Sequence, residues 1–245
     1  MAEIYETLKQ SLEEQQLVAM ATVIVGSGLG SKILIWPDGR TQGDLGSADL
    51  NEQVVRYATG LLTASQASER VSCEVAGETV EVFIDVYPPP PKLVIVGAVH
   101  IAIPLVTLAK TLGYRTVVID ARSAFATQER FGHADELVLE WPVEALQELD
   151  LDEATYVVVL SHDEKLDNPA LQIALRSPAR YIGALGSPKT HAKRVEALRQ
   201  LGFSDEQLAR IHAPIGWDLG ARTAEEIALA IMAEMVAVRN GVEAK

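Results

Sequence analysis

The stretch Lys92–Arg122, KLVIVGAVHIAIPLVTLAKTLGYRTVVIDAR, constrains the fold more than any other part of the chain. It opens on Leu93–Val96, an apolar run that is β-branched at three of four positions and too short for a helix. A run of that kind makes a strand buried on both faces, as in a parallel sheet. Gly97 breaks the strand. From His100 to Leu112, apolar side chains recur at helical spacing (Ile101, Leu105, Leu108, Leu112), and Gly113 stops the helix. Pro104 falls in or near the first turn, where a missing N–H costs little. Thr116–Ile119 is a second strand, and it ends in Asp120. The whole predicts a βαβ unit with a carboxylate placed about 20 residues after the first glycine, where such units bind a ribose hydroxyl.

The glycine pattern departs from the dinucleotide fingerprint G-x-G-x-x-G/A, since its positions hold Gly97, Val99 and Ala102. Gly97 permits the tight turn and Ala102 keeps helix and strand close. Val99 stands where glycine lets backbone amides approach a pyrophosphate. The pattern keeps the fold and leaves open whether a dinucleotide binds.

A chain of 245 residues with 48% hydrophobic composition has material for two modest cores. Its formal charge of −13 opposes a nucleic-acid surface, which needs concentrated Lys and Arg. The single cysteine, Cys73, excludes an intramolecular disulfide and a multi-cysteine metal cage, and it lies in a strand-like run as a buried, inert thiol. His133, His191 and His212 lack metal-ligand spacing, so no metal site is expected. No apolar run reaches membrane-spanning length, and the start MAEIYETLKQ is acidic and amphipathic, so the expected location is cytoplasmic.

The pattern divides the chain into a small α+β domain (1–87), a proline linker (88–91) and a Rossmann-like domain (92–245). In the first domain, Ala2–Gln16 reads as a helix with Ile4, Leu8 and Leu12 on one side, and Leu17–Val25 and Lys32–Trp36 as strands. Gly43–Asn51 reads as a loop in which Asp49 caps the next helix. Val71–Val75 and Thr79–Val86 form a hairpin. Four successive prolines, Pro88–Pro91, cannot continue a sheet interior and make a stiff spacer. Beyond Asp120, strand-like runs at 136–139, 154–160 and 181–185 alternate with helices that start near Asn168, Pro188 and Ser204, while 212–220 reads as loop. Thr223–Glu226 is a capping box that opens the last helix. This alternation is the mark of a parallel α/β sheet.

Ligands in such sheets bind at the carboxyl ends of the strands, so four loops converge there: Gly97–His100, Asp120–Arg122, Ser161–Asp163 and Gly183–Lys189. GALGSPK (Gly183–Lys189) suits an anion, with Gly186, Ser187 and Lys189 at a helix start; it equally suits a plain strand-to-helix turn. His100 precedes a helix and is either a ligand group or a packing residue. His162 and Asp163 are candidates for acid–base work or for a polar turn.

Four motifs carry a family resemblance: VIVGAVHIAIPL (94–105), SHDEKLD (161–167), YIGALGSPKTHAKR (181–194) and HAPIGWDLGARTAEEIALAIMAE (212–234). Through them the chain resembles the XdhC/CoxI proteins, accessory factors for molybdenum hydroxylases such as xanthine dehydrogenase. The resemblance covers nearly the whole chain. It implies a small first domain followed by a Rossmann-like one. It also implies binding of molybdenum cofactor, as molybdopterin or its cytosine dinucleotide, with protection during sulfuration and transfer to the apo-hydroxylase. A cysteine desulfurase is an implied partner and a homodimer an implied state. The family's first domain carries a G-G-G-C loop, whereas the matching stretch here reads GDLGSADL and has no cysteine. Val99 stands where many members have glycine before the histidine that His100 matches.

Three functions remain in competition at this level. A cofactor-insertion factor would hold phosphate through Gly97, His100, Gly186 and Ser187, with Asp120 on a ribose if the ligand is a dinucleotide. An NAD(P)-dependent oxidoreductase would use the same crevice, and Arg122 beside Asp120 leaves NAD and NADP both open. A scaffold would bind the hydroxylase and no small molecule.

Overall fold

The computed structural model describes residues 2–64, 68–161 and 163–242. The chain forms two compact units, Met1–Pro89 and Pro90–Lys245, which meet inside the proline run.

The first unit runs α1 (Ala2–Glu13), β1 (Val18–Val25), β2 (Lys32–Ile35), β3 (Thr41–Asp44), α2 (Ala48–Ala64), β4 (Glu69–Val75) and β5 (Glu78–Tyr87). Its antiparallel sheet has the order β3-β2-β1-β5-β4. Successive side chains on a strand point to opposite faces. Ala19, Ala21 and Val23 of β1 therefore join Leu50, Val54, Ala58 and Leu62 of α2 in one core, while Val18 meets Ile4 and Leu8 of α1 in another. Leu12, expected on the same side as Ile4 and Leu8, is exposed.

Two local readings change. The stretch read as loop from Gly43 contains the end of β3, an edge strand whose sequence TQGD has no apolar alternation to betray it. The residue before α2 is Ser47, whose Oγ accepts from the Leu50 N–H, so Ser47 rather than Asp49 occupies the cap. The hairpin turns on Ala76 and Gly77, both at positive φ, which matches the twist of the paired strands.

The second unit runs β6 (Lys92–Val96), α3 (Ala102–Thr111), β7 (Arg115–Ile119), α4 (Gln128–Phe131), β8 (Glu136–Val138), α5 (Pro142–Glu148), β9 (Thr155–Val159) and α6 (Glu164–Arg176). It continues with β10 (Tyr181–Ala184), α7 (Pro188–Gln200), α8 (Asp205–Leu208), β11 (Ile211–His212) and α9 (Ala224–Arg239). The strands are parallel in the order β11-β10-β9-β6-β7-β8, which is the 3-2-1-4-5-6 arrangement of dinucleotide-binding folds read from β8.

Helices cover both faces of this sheet. Leu93, Ile95 and Val158 pack with Leu105 and Val106 of α3 and Ile231 and Met235 of α9. Val94, Val96 and Val159 pack with Ala145 and Leu146 of α5 and Ala170 and Leu171 of α6. This double burial explains the unbroken apolar runs, and each of Leu93–Val96 contributes roughly 1.5–3 kcal/mol of hydrophobic stabilisation.

Two helix starts in this unit shift from where periodicity puts them. The first helix of this unit begins at Ala102 instead of His100, with no side-chain cap. α6 begins at Glu164 instead of near Asn168, because Asp163 accepts from the Lys165 N–H and caps it. Pro169 consequently lies inside the helix instead of in its first turn. Residues 211–212, of which His212 was expected in a loop, form β11 beside β10. The Thr223–Glu226 capping box is formed. Among the described residues no helix is long and apolar enough to cross a membrane.

Candidate functional site

The strand order reverses between β6 and β9, and in open α/β sheets the crevice at the carboxyl ends of such a pair receives ligands. Gly97 ends β6 at φ +110, and a Cβ added there would lie 2.9 Å from the Ser161 N and 3.0 Å from its Cα. Only glycine lets the two strand ends come this close.

Asp120, at the end of β7, ties two of these loops together. Its carboxylate accepts from the Ala98 N–H (2.8 Å), the Arg122 N–H (3.0 Å), Arg122 Nε (2.9 Å) and Arg122 Nη2 (2.7 Å). The Asp120 side chain has 0% exposure and that of Arg122 has 34%. Burial raises the Asp120 pKa, but the hydrogen bonds from Arg122 and Ala98 together outweigh it and hold the carboxyl below its ordinary value. Both oxygens expected to meet a ribose are thus taken up within the chain. Arg122 also lies over the Phe125 ring, 4.5 Å from its centroid. Its hydrogen bonds to Asp120 and the negative charges of Asp163 and Asp167 raise the Arg122 pKa.

A buried polar chain continues across the crevice floor. Ser161 donates to Asp167 Oδ1, and Arg194 Nη2 donates to Asp167 Oδ2 (3.3 Å) and to the Leu185 carbonyl (3.2 Å). All three side chains are buried, Arg194 at 6% exposure. Arg194 Nη1 is buried too and has no hydrogen-bond partner among the described residues. It lies beside Gly186, where an added Cβ would be 3.9 Å from it. The ends of β7, β6, β9 and β10 are therefore joined in order: Arg122–Asp120–Ala98, Gly97 against Ser161, and Ser161–Asp167–Arg194–Leu185.

The remaining predicted residues divide. Ser187 caps α7 by accepting from the Thr190 N–H (3.2 Å), Pro188 takes the first helical position, and Lys189 is exposed and forms no ion pair among the described residues. His100 is exposed in the turn before α3. Ala102 is wholly buried in the core, and Val99 is half-buried against that same core. Gly183 lies within β10, where an added Cβ would be 2.4 Å from Ile215 Cδ1, so its place is one of packing. Asp163 serves as the α6 cap. His162 lies outside the described residues.

Sequence reasoning misses the roles of Ser161, Asp167 and Arg194. The available signal is the spacing of Thr190 and Arg194, which places both on one helix face behind the Gly186 turn. His191, on the same helix, has a buried and unpartnered Nδ1; burial first and then Arg194 depress its pKa.

A second buried cluster joins β10, β11 and α9. Glu234 accepts from the Tyr181 hydroxyl, the Gly216 N–H (2.8 Å) and His212 Nδ1 (3.0 Å). Burial raises the Glu234 pKa, but these three hydrogen bonds prevail and lower it. Among the described residues no group of three or more His, Cys, Asp or Glu is placed to hold a metal. Cys73 is buried in β4, and burial first, then the charge of Asp49, pushes its thiol up.

Residues 93–235 match the XdhC Rossmann domain, and residues 11–72 match the XdhC and CoxI family. The chain is 30% identical over 165 residues to a protein of Bacillus subtilis (strain 168) named as a probable xanthine dehydrogenase subunit, covering 67% of this chain and 48% of that protein. It is 35% identical over 121 residues to the molybdenum cofactor insertion chaperone PaoD of Escherichia coli (strain K12), covering 49% and 37% respectively. The uncharacterized protein YqeB of the same organism is 28% identical over 246 aligned positions, covering 94% of this chain and 45% of YqeB. The chain thus spans about half or less of the length of these curated relatives. A crystal structure of a xanthine dehydrogenase from Bacillus halodurans has the same fold, with a TM-score of 0.57, 21% identity, and coverage of 97% of this chain and 96% of that one. With more than half of its length matching one domain family, the chain belongs to the XdhC and CoxI family.

Proposed function

We propose that the chain binds molybdenum cofactor in the crevice at the ends of β6, β7, β9 and β10 and passes it to a xanthine dehydrogenase-like apo-hydroxylase. The observation that carries this reading is a phosphate-compatible crevice at the strand-order reversal, in a chain similar to one relative named a molybdenum cofactor insertion chaperone and to another named for xanthine dehydrogenase. Molybdopterin ends in a phosphate, and Gly186, Ser187, Lys189 and the spare nitrogen of Arg194 suit that group. In this reading Gly97 and the exposed His100 border the same crevice. When bound, the cofactor supplies the redox-active molybdenum; the residues of this chain hold, orient and shield it.

Sulfuration falls to a separate cysteine desulfurase in this reading, because the chain's one thiol, Cys73, is buried and held protonated. Molybdopterin itself, which carries a phosphate and no ribose, fits better than its cytosine dinucleotide, since Asp120 has no free oxygen for a ribose. The strand order also favours a second reading, an NAD(P)-dependent oxidoreductase. The same engagement of Asp120 counts against it.

Equilibrium binding of molybdenum cofactor and of NAD(H) to the full chain, side by side, decides between the two. Saturable cofactor binding without NAD(H) binding is the expected result. Binding of NAD(H) alone would sink the insertion-factor reading.

A further inference from the structure

We infer that the Gly186–Thr190 turn and the guanidinium of Arg194 form a subsite for a single phosphate group. The inference deepens the function proposed above and rests on it only for the identity of the molecule that carries the phosphate.

Three observations converge. Arg194 is a buried cation with unequal nitrogens: Nη2 serves both Asp167 and the Leu185 carbonyl, while Nη1 is buried with no acceptor among the described residues. A buried donor left without a partner is costly, so such a group points to an acceptor that comes from outside. Gly186, at φ +147, leaves the space beside that nitrogen without a side chain; an added Cβ would stand 3.9 Å from Nη1 and 3.3 Å from Thr190 Cβ and Cγ2. The turn opens α7, a helix of 13 residues whose positive end faces incoming anions.

The donor set selects the ligand class. Nη1, the helix start and the exposed Lys189 are all donors or positive charge, and no carboxylate in the turn opposes them. Asp167 already balances the Nη2 side of Arg194. Pro188 at the first helical position contributes no N–H, and the Thr190 N–H is spent on Ser187 Oγ. So few donors suit one phosphate and not the two of a pyrophosphate. Free phosphate and the phosphate end of an ester share this chemistry.

The test is calorimetric titration of the full chain with inorganic phosphate and with glycerol phosphate, against chloride at matched ionic strength. Saturable binding of both is expected. Arg194→Lys keeps a charge for Asp167 but offers no second planar nitrogen, and it should weaken phosphate binding at least about tenfold. Gly186→Ala keeps both members of the Arg194–Asp167 pair and fills the approach to Nη1, with a strained backbone at φ +147, so it should do the same; it decides the matter if the arginine variant does not fold. No phosphate binding by the unmodified chain, or affinity equal to the unmodified chain's in a folded Arg194→Lys and in Gly186→Ala, overturns the subsite. Binding of inorganic phosphate without glycerol phosphate overturns its use for an esterified ligand. Cofactor binding that persists without phosphate binding would remove this subsite and leave the proposed function standing, and phosphate binding without cofactor binding would do the reverse.

Discussion

Replacement of Asp120 by alanine tests whether this carboxylate is an architectural joint. Four donors converge on it, from Ala98 and from Arg122. Ala98 is wholly buried, so its orphaned N–H would cost about 1–3 kcal/mol. The Arg122 side chain is a third exposed and can rehydrate, so its lost ion pair adds at most about 1 kcal/mol after solvent screening. The sum is roughly 1–4 kcal/mol, or a fall of roughly 2–16 °C in melting temperature for a domain of this size. Asp120→Asn keeps one carbonyl oxygen for Ala98 and should lose about half as much. Scanning calorimetry of the full chain reads both variants. Because the folded-state pKa of Asp120 is depressed, its stabilisation is fully present above the unfolded-state pKa and is lost as pH falls through the folded-state value. The gap between the original chain and Asp120→Ala should therefore narrow on acidification. A melting temperature for Asp120→Ala within about 1 °C of the original at neutral pH would refute the reasoning.

Gly97→Ala should be more damaging than Gly113→Ala, although both glycines have positive φ. The first places a Cβ 2.9 Å from the Ser161 N, while the second meets nothing within 4 Å and costs only the roughly 1–2 kcal/mol of a left-handed alanine; equal melting temperatures would contradict the close approach of β6 and β9. Glu234→Gln should lose about 1–3 kcal/mol in urea denaturation, as Tyr181, Gly216 and His212 exchange a charged acceptor for a neutral one. The Glu234 pKa is lowered in the folded chain, so this loss is full above the ordinary carboxylate range and fades as pH falls through the lowered value. A loss that grows in acid would rule out Glu234 as the titrating group.

Legibility follows the range of each interaction. The runs at Leu93–Val96 and Tyr156–Val159 stand out because double burial removes polar residues from a strand, and Thr223–Glu226 does because a capping box is complete within four residues. β3 and β11 leave no such mark, because an edge strand of polar residues and a strand of two residues carry no period. Asp163 reads in the sequence as an acid–base candidate, and its work as a cap shows only once α6 begins at Glu164.

The sequence by itself determined the strand-turn-helix units of the central βαβ unit, the glycine turns at Gly97 and Gly186, and which loops follow the carboxyl ends of the strands. These depend on neighbours within a turn or two of the chain. Only the tertiary structure decided that Asp120 spends its oxygens on Ala98 and Arg122, and that Arg194 meets Asp167 from 27 positions away. Strand order sets which loops touch, and it arises from the packing of every helix on the sheet, which no local pattern encodes.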